Sequence, residues 1–180
     1  MKRHTLIGCF ACVLSLTGWS HAQAVPTASR AGSIQIGGAV TIITPDYAQP
    51  HIKGLSIYGD YDFFNHLGIE GDIHFSIITP SDISENSYLL GPRYKWHYKR
   101  FDPYAKALFG IGRFGYQAGS YPFPSTATYA EYAFGGGLDV RATRHINVRA
   151  FDIEVQKWPG YAPHGLSPIA YNFGVAYVLR

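Results

Sequence analysis

Ionisable residues recur at every second position through the middle of this chain: Asp60 and Asp62, Glu70 and Asp72, Arg93 and Lys95, Asp139 and Arg141, Asp152 and Glu154. Side chains two residues apart share one face of a β-strand. Lys106, Glu131 and Arg149 stand singly in similar alternating runs. Charges gathered on one face, with large apolar groups on the other, can pair as ions across an enclosed space, and buried charges must be paired. The chemistry these thirteen residues predict is therefore an interior network of carboxylates facing Arg and Lys.

Two other constellations could do chemistry. A hydrolytic site needs a nucleophilic Ser, a His base and a carboxylate to orient it. His164 and Ser167 lie close in sequence, and Asp152 or Glu154 sits one strand away. An ordinary polar loop accounts for the same residues, so no catalytic residue is assigned. His74 and His97 are both expected to face inward, where they would suit a metal ion. Their separation and the lack of a further His nearby favour ion pairing, so no metal site and no cofactor are expected.

The elements that position these residues begin after a segment of a different kind. Met1 to His4 is basic, Thr5 to Trp19 is apolar, and Ala22-Gln23-Ala24 is a small-residue cleavage site. That order predicts a cleavable signal peptide over residues 1–24, followed by a short linker over 25–32. Both cysteines, Cys9 and Cys12, fall in the removable part, which leaves no disulfide or zinc framework to the remainder. Leu6-Ile7-Gly8-Cys9 comes too early in the apolar run to be a lipoprotein cleavage box. Losing Lys2 and Arg3 takes the formal charge from +3 to +1 (3 − 2), a balance that gives no reason to expect a nucleic acid partner. No apolar stretch reaches the roughly 18 residues that a membrane-spanning helix requires.

From Ser33 onward a period of two dominates. It is clearest in 33–44, 53–64, 68–79 and 88–98, and it continues in 103–117, 128–141 and 167–180. The run 145–158 changes parity. Ile146, Val148 and Ala150 alternate with Asn147 and Arg149, and then Asp152, Glu154 and Gln156 take the opposite phase. A β-bulge near Ala150-Phe151 would return every charge to one face. The connections are short (65–67, 99–102, 143–145) and long (45–50, 80–86, 118–127, 159–166) in strict alternation.

Short turns at one end and longer loops at the other are the pattern of a transmembrane barrel, and a sheet in lipid must close because it cannot leave edge groups unpaired. The fold expected over 33–180 is all-β: an eight-stranded antiparallel up-and-down transmembrane β-barrel. Eight strands give a lumen that side chains fill. The inward Gly91, Gly110, Gly112, Gly135 and Gly137 would make room there for long Arg and Lys side chains. Outward aromatics such as Tyr61, Phe63, Tyr94, Trp96, Tyr98, Tyr132, Tyr171 and Tyr177 would form interfacial girdles.

Several runs carry a family resemblance: Leu90-Gly91-Pro92-Arg93-Tyr94, Pro103 to Gly110, Gly135-Gly136-Gly137-Leu138-Asp139-Val140-Arg141 with Val148-Arg149-Ala150, and Asn172 to Leu179. With them the chain resembles the OmpA-type outer membrane β-barrel superfamily over residues 33–180. The last run is similar to the signal that the outer-membrane assembly machinery reads, although this chain ends Leu179-Arg180 where such proteins commonly finish on an aromatic residue. The resemblance implies location in the bacterial outer membrane, and the chain is expected to stop with the barrel, without a peptidoglycan-binding domain.

The function expected is non-enzymatic, structural or surface-interacting, with a lumen filled by ion pairs. Expected partners are outer membrane lipids, lipopolysaccharide and the assembly machinery, with the chain a monomer. Tyr121, Phe123, Tyr129 and Tyr161 would form a sticky rim on the outer loops or extend the girdle. The alternatives are a lipid A-modifying Ser/His hydrolase and, below it, a narrow pore.

Overall fold

Each alternating run becomes a strand: β1 (Ser33–Thr44), β2 (Ile52–Asp62), β3 (Leu67–Phe75), β4 (Ile83–Lys95), β5 (Phe101–Tyr116), β6 (Ser125–Arg141), β7 (Ile146–Lys157) and β8 (Ile169–Leu179). The computed structural model describes residues 32–46, 51–76, 83–116 and 125–179. The predicted signal peptide, the linker up to residue 31, and Tyr121 and Phe123 lie outside the described residues. Every strand pairs antiparallel with its sequence neighbour, and β1 pairs with β8 from Ile34↔Leu179 to Thr44↔Ile169, which closes the barrel. Closure removes the free edges that would otherwise template association.

The wall is inverted relative to a protein folded in water. Ile36, Leu90 and Phe109 are 55%, 60% and 56% exposed, whereas Arg93, Arg149 and Asp152 are no more than 1% exposed. Along β2 the alternation is complete, with Ser56, Tyr58, Asp60 and Asp62 buried between exposed Leu55, Ile57 and Tyr61. Contiguous apolar surface of this extent belongs against a non-aqueous phase. Tyr61, Phe63, Tyr94, Trp96, Tyr98 and Tyr177 point outward near strand ends.

The parity change in β7 has the expected cause. Leu138 pairs with Phe151 and Asp139 with Arg149, so Ala150 has no partner on β6. On the β8 side Arg149 pairs with Gly174 and Asp152 with Asn172, leaving Ala150 and Phe151 opposite a single residue. An extra residue in one strand of a pair is a β-bulge, and it shifts the phase of everything after it.

The short turns 63–66, 96–100 and 142–145 gather at one end of the barrel. In the second, Tyr98 and Phe101 exchange backbone hydrogen bonds of 2.8 and 2.9 Å around Lys99-Arg100, with Lys99 at φ 55°. At the other end several boundaries differ from expectation, and β3 ends at Phe75 rather than Thr79. β4 begins at Ile83 rather than Tyr88, β6 at Ser125 rather than Thr128, and β8 at Ile169 rather than Ser167. The runs Ser84 to Ser87 and Thr126 to Thr128 are polar or small on both faces, so a period-two apolar signal cannot mark them as strand. Backbone pairing continues through both runs, with Ser84 opposite Gly115 and Thr128 opposite Arg113, and Asn86 adds a side-chain contact by accepting from the Ser76 N–H at 3.2 Å.

Candidate functional site

The ion network is built where the inward faces of β2 to β7 meet. Arg149, brought inward just before the bulge, is fully enclosed. Its Nη1 and Nη2 lie 3.0 and 3.1 Å from the two oxygens of Glu70 on β3, a two-pronged contact across the barrel. Its Nε lies 3.3 Å from Asp139 Oδ1, and Nη2 lies 3.4 Å from Asp60 Oδ2. Planar guanidinium donors suit such forked recognition of carboxylates.

Arg93 on β4 joins the same group of acids. Its Nη2 lies 2.5 Å from Asp139 Oδ2, Nε lies 3.4 Å from Glu70 Oε2, and Nη1 pairs closely with Asp60. Deeper toward the long-loop end, Lys106 Nζ sits 2.7 Å from Glu70 Oε1, 2.7 Å from Asp152 Oδ2 and 2.6 Å from Glu154 Oε1. Each of the three buried cations thus links acids from at least two strands.

Aromatic rings complete these contacts. The Arg149 guanidinium carbon lies 3.6 Å above the Tyr58 ring, and that of Arg93 lies 3.9 Å from the Tyr104 ring centre. Cation–aromatic stacking of this kind strengthens as water is excluded. Tyr104 also donates its hydroxyl proton to Asp152. Among the glycines expected to make room for Arg and Lys, Gly91, Gly110 and Gly135 stand first against neighbouring-strand backbone, whereas Gly112, like Gly37, leaves space for an aromatic ring. A Cβ on Gly37 would stand 2.4 Å from the Tyr58 ring, and one on Gly112 would stand 2.5 Å from the Trp158 ring.

Polar side chains that charge patterning did not single out fill the remaining gaps. Gln35 donates to Asp60, and Asn147 Nδ2 donates to Gln35 Oε1 at 2.8 Å. Thr41 donates to Asn172 Oδ1 at 2.7 Å, and Asn172 Nδ2 donates in turn to Glu154 Oε1 at 3.2 Å. Their inward parity was the available signal. Glu131 accepts from Ser87 at 3.1 Å.

Two of the expected network cations sit apart from this core. Lys95 pairs with Asp62, which also accepts from Ser33 at 2.9 Å. Arg141 is 35% exposed and lies 3.2 Å from Asp102, at the short-turn rim. His97, expected inward with His74, instead lies at that rim, 2.9 Å from Asp102 Oδ1, with Nε2 2.6 Å from the Asn65 carbonyl. It stands beyond the end of β4, where the turn frees it from strand parity. His74 is fully buried with Asp72 and Glu154 beside it, and this trio and the trio of Glu70, Asp152 and Glu154 each bring three ligand atoms within 4.8 Å of one another.

At the long-loop end Phe114, Trp158 and Leu166 form an apolar cluster, with Tyr129 and Tyr161 packed against it. Tyr129 and Tyr161 are thus half-buried against this cluster at the mouth of the lumen; Tyr129 belongs to β6, on the same inward parity as Glu131. His164 is exposed on the 158–168 connection. The Ser167 hydroxyl accepts from Lys157 Nζ at 2.5 Å, and its backbone N–H donates to Asp46 at 2.7 Å.

A family model for the outer membrane protein beta-barrel domain matches residues 10–177. No curated protein matches the chain. Among solved structures, the barrel is similar to the Neisserial surface protein A (NspA), with a TM-score of 0.61 at 17% identity, covering 82% of this chain and 96% of that one. It is similar also to the N-terminal β-barrel domain of Pseudomonas aeruginosa OprF, with a TM-score of 0.56 at 13% identity over 82% and 97% of the two chains. Ail of Yersinia pestis, solved in complex with the heparin analogue sucrose octasulfate, gives a TM-score of 0.55 at 17% identity over 82% and 97%. At these identities the likeness is one of fold. With a closed eight-stranded antiparallel wall, apolar outside and ionic within, and a family match over most of its length, the chain belongs to the outer membrane protein beta-barrel domain family and is a bacterial outer membrane protein.

Proposed function

We propose that this protein is a non-enzymatic barrel with a structural or surface-contact role, its lumen sealed by the ion network. The observation that carries the reading is the set of Arg93, Lys106 and Arg149, each no more than 5% exposed and each bridging acids from different strands. Charges held in this way occupy the cross-section that a conducting path would need, and breaking them exposes unpaired ions to a low-dielectric interior. The aromatic cap of Trp158, Tyr129 and Tyr161 supports the same reading at the long-loop end.

The partners follow from the surfaces. The apolar wall meets outer membrane lipids, the long loops meet lipopolysaccharide and the surroundings, and β8 is the segment the assembly machinery would engage. The protein acts as a monomer, because closure leaves no strand edge to share.

Planar-bilayer recording of the purified barrel is the direct test. Baseline traces without stable steps are expected, and sustained large single-channel currents would overturn the sealed-lumen reading. Heat-modifiable migration on a gel, read in parallel, establishes that the recorded sample is folded.

A further inference from the structure

Lys106 shows how this lumen handles converging carboxylates. Its ammonium group sits within 2.7 Å of oxygens from Glu70, Asp152 and Glu154, so the protein supplies its own cation to that trio. Beside it stands a second trio, Asp72, His74 and Glu154, all buried, with one ligand atom from each within 4.8 Å of the others. Lys106 touches this trio through Glu154 Oε1, at 2.6 Å, and stands farther from Asp72 Oδ2, at 3.6 Å.

Within the second trio, His74 Nε2 lies 3.4 Å from Asp72 Oδ1 and 3.3 Å from Glu154 Oε2. An imidazolium serving only as an ion-pair partner would donate at about 2.7–2.9 Å. Instead both His74 ring nitrogens, both Asp72 oxygens and Glu154 Oε2 are buried with no hydrogen-bond partner among the described residues. Donors held about 2.0–2.2 Å from a central tetrahedral ion stand roughly 3.3–3.6 Å from one another. The two separations match that spacing, and the third pair of the trio stands within 4.8 Å.

Charge balance points the same way. Setting aside Glu85 toward the long loops and the rim acids Asp62 and Asp102, seven buried carboxylates face Arg93, Lys106, Arg149 and His74 among the described residues, still an excess of acids. A divalent ion offsets two of the excess negative charges. The trio also joins β3 to β7, which lie on opposite sides of the eight-stranded ring.

We propose that His74 Nε2, Asp72 Oδ1 and Glu154 Oε2 form a lumenal site for a first-row divalent cation, with the imidazole favouring the zinc class over magnesium or calcium. The ion cross-links opposite walls, doing for this trio what the Lys106 ammonium does for its neighbour.

The test uses the barrel without a histidine tag, refolded in detergent micelles with zinc chloride and then freed of loose metal by gel filtration. Elemental analysis is expected to find about one zinc per chain, and His74→Gln to lower retention about ten-fold or more. Cobalt(II) in place of zinc is expected to give visible ligand-field absorption that His74→Gln abolishes. Wild-type barrel that retains no zinc, or that shows no cobalt absorption, overturns the proposal. So does a folded His74→Gln barrel that keeps a full equivalent. Should His74→Gln fail to fold, the two wild-type measurements decide alone.

Discussion

Arg149 and Asp152 are three residues apart on one strand, yet both face the lumen, with Arg149 Nη1 lying 3.5 Å from Asp152 Oδ2. On a regular strand, residues three apart point to opposite faces. The bulge at Ala150-Phe151 reconciles them. It lets Arg149 meet Glu70 and Asp139 while Asp152 and Glu154 meet Lys106. The ion network thus depends on a single unpaired backbone position.

Deleting Ala150 removes that position. Either Asp152, Glu154 and Gln156 or Asn147 and Arg149 must then face lipid, and an Arg near the bilayer midplane costs about 2–4 kcal/mol, acids somewhat less. The deleted chain is expected to lose its heat-modifiable band and its insertion into lipid vesicles, while Ala150→Gly keeps both. A deletion variant folding at the wild-type yield would show that the parity shift carries no weight.

Lys106 and Lys95 offer a contrast between core and rim. Lys106→Met leaves Glu70, Asp152 and Glu154 without their shared cation in a buried setting. Removing one partner from a buried ionic cluster costs about 3–5 kcal/mol. Lys95 pairs with Asp62 near the rim, where its side chain is 14% exposed, and Lys95→Met is expected to cost no more than about 1 kcal/mol. Urea unfolding in micelles measures both; equal midpoints for the two variants would contradict the ranking.

Much of this arrangement was legible in the sequence because lipid outside and ions inside impose a strict period. Asp60 with Asp62, Glu70 with Asp72 and the broken phase after Ala150 each revealed a face, and the phase break located the bulge. Parity says which way a side chain points but not what it meets. It therefore could not reveal that Tyr58 and Tyr104 would lie beneath the guanidinium groups, or that the acids around His74 would outnumber the cations. Parity also fails where the chain leaves the membrane. Ser84 to Ser87 and Thr126 to Thr128 have no apolar face to report, and His97 and Arg141 sit where strands give way to turns, facing Asp102 at the rim.

Gly112 tests the packing of the cap. A methyl group there would stand 2.5 Å from the Trp158 ring, which is 1% exposed. Gly112→Ala is expected to displace the indole and cost about 1–3 kcal/mol by overpacking. In a barrel that lacks residues 1–24 and carries Trp96→Phe, so that Trp158 is the remaining indole, fluorescence should shift toward the red as the ring leaves its enclosed position. An unchanged spectrum together with an unchanged urea midpoint would mean that the cap tolerates the added methyl.

The hydrolase alternative comes down to Ser167. Its hydroxyl accepts a hydrogen bond from Lys157 Nζ, and its backbone N–H anchors the 158–168 connection to Asp46 just past β1. A nucleophilic Ser of this kind needs a His base at its hydroxyl, and the contact made by the Ser167 hydroxyl is with Lys157, not His164. Cells expressing the wild-type barrel and cells expressing His164→Ala are therefore expected to have the same lipid A species by mass spectrometry. A deacylated species that accumulates with the wild type and disappears with His164→Ala would make the protein an enzyme. Lys157→Met supplies the structural counterpart: by releasing Ser167 it should make the 158–168 connection more sensitive to protease while leaving lipid A unaltered.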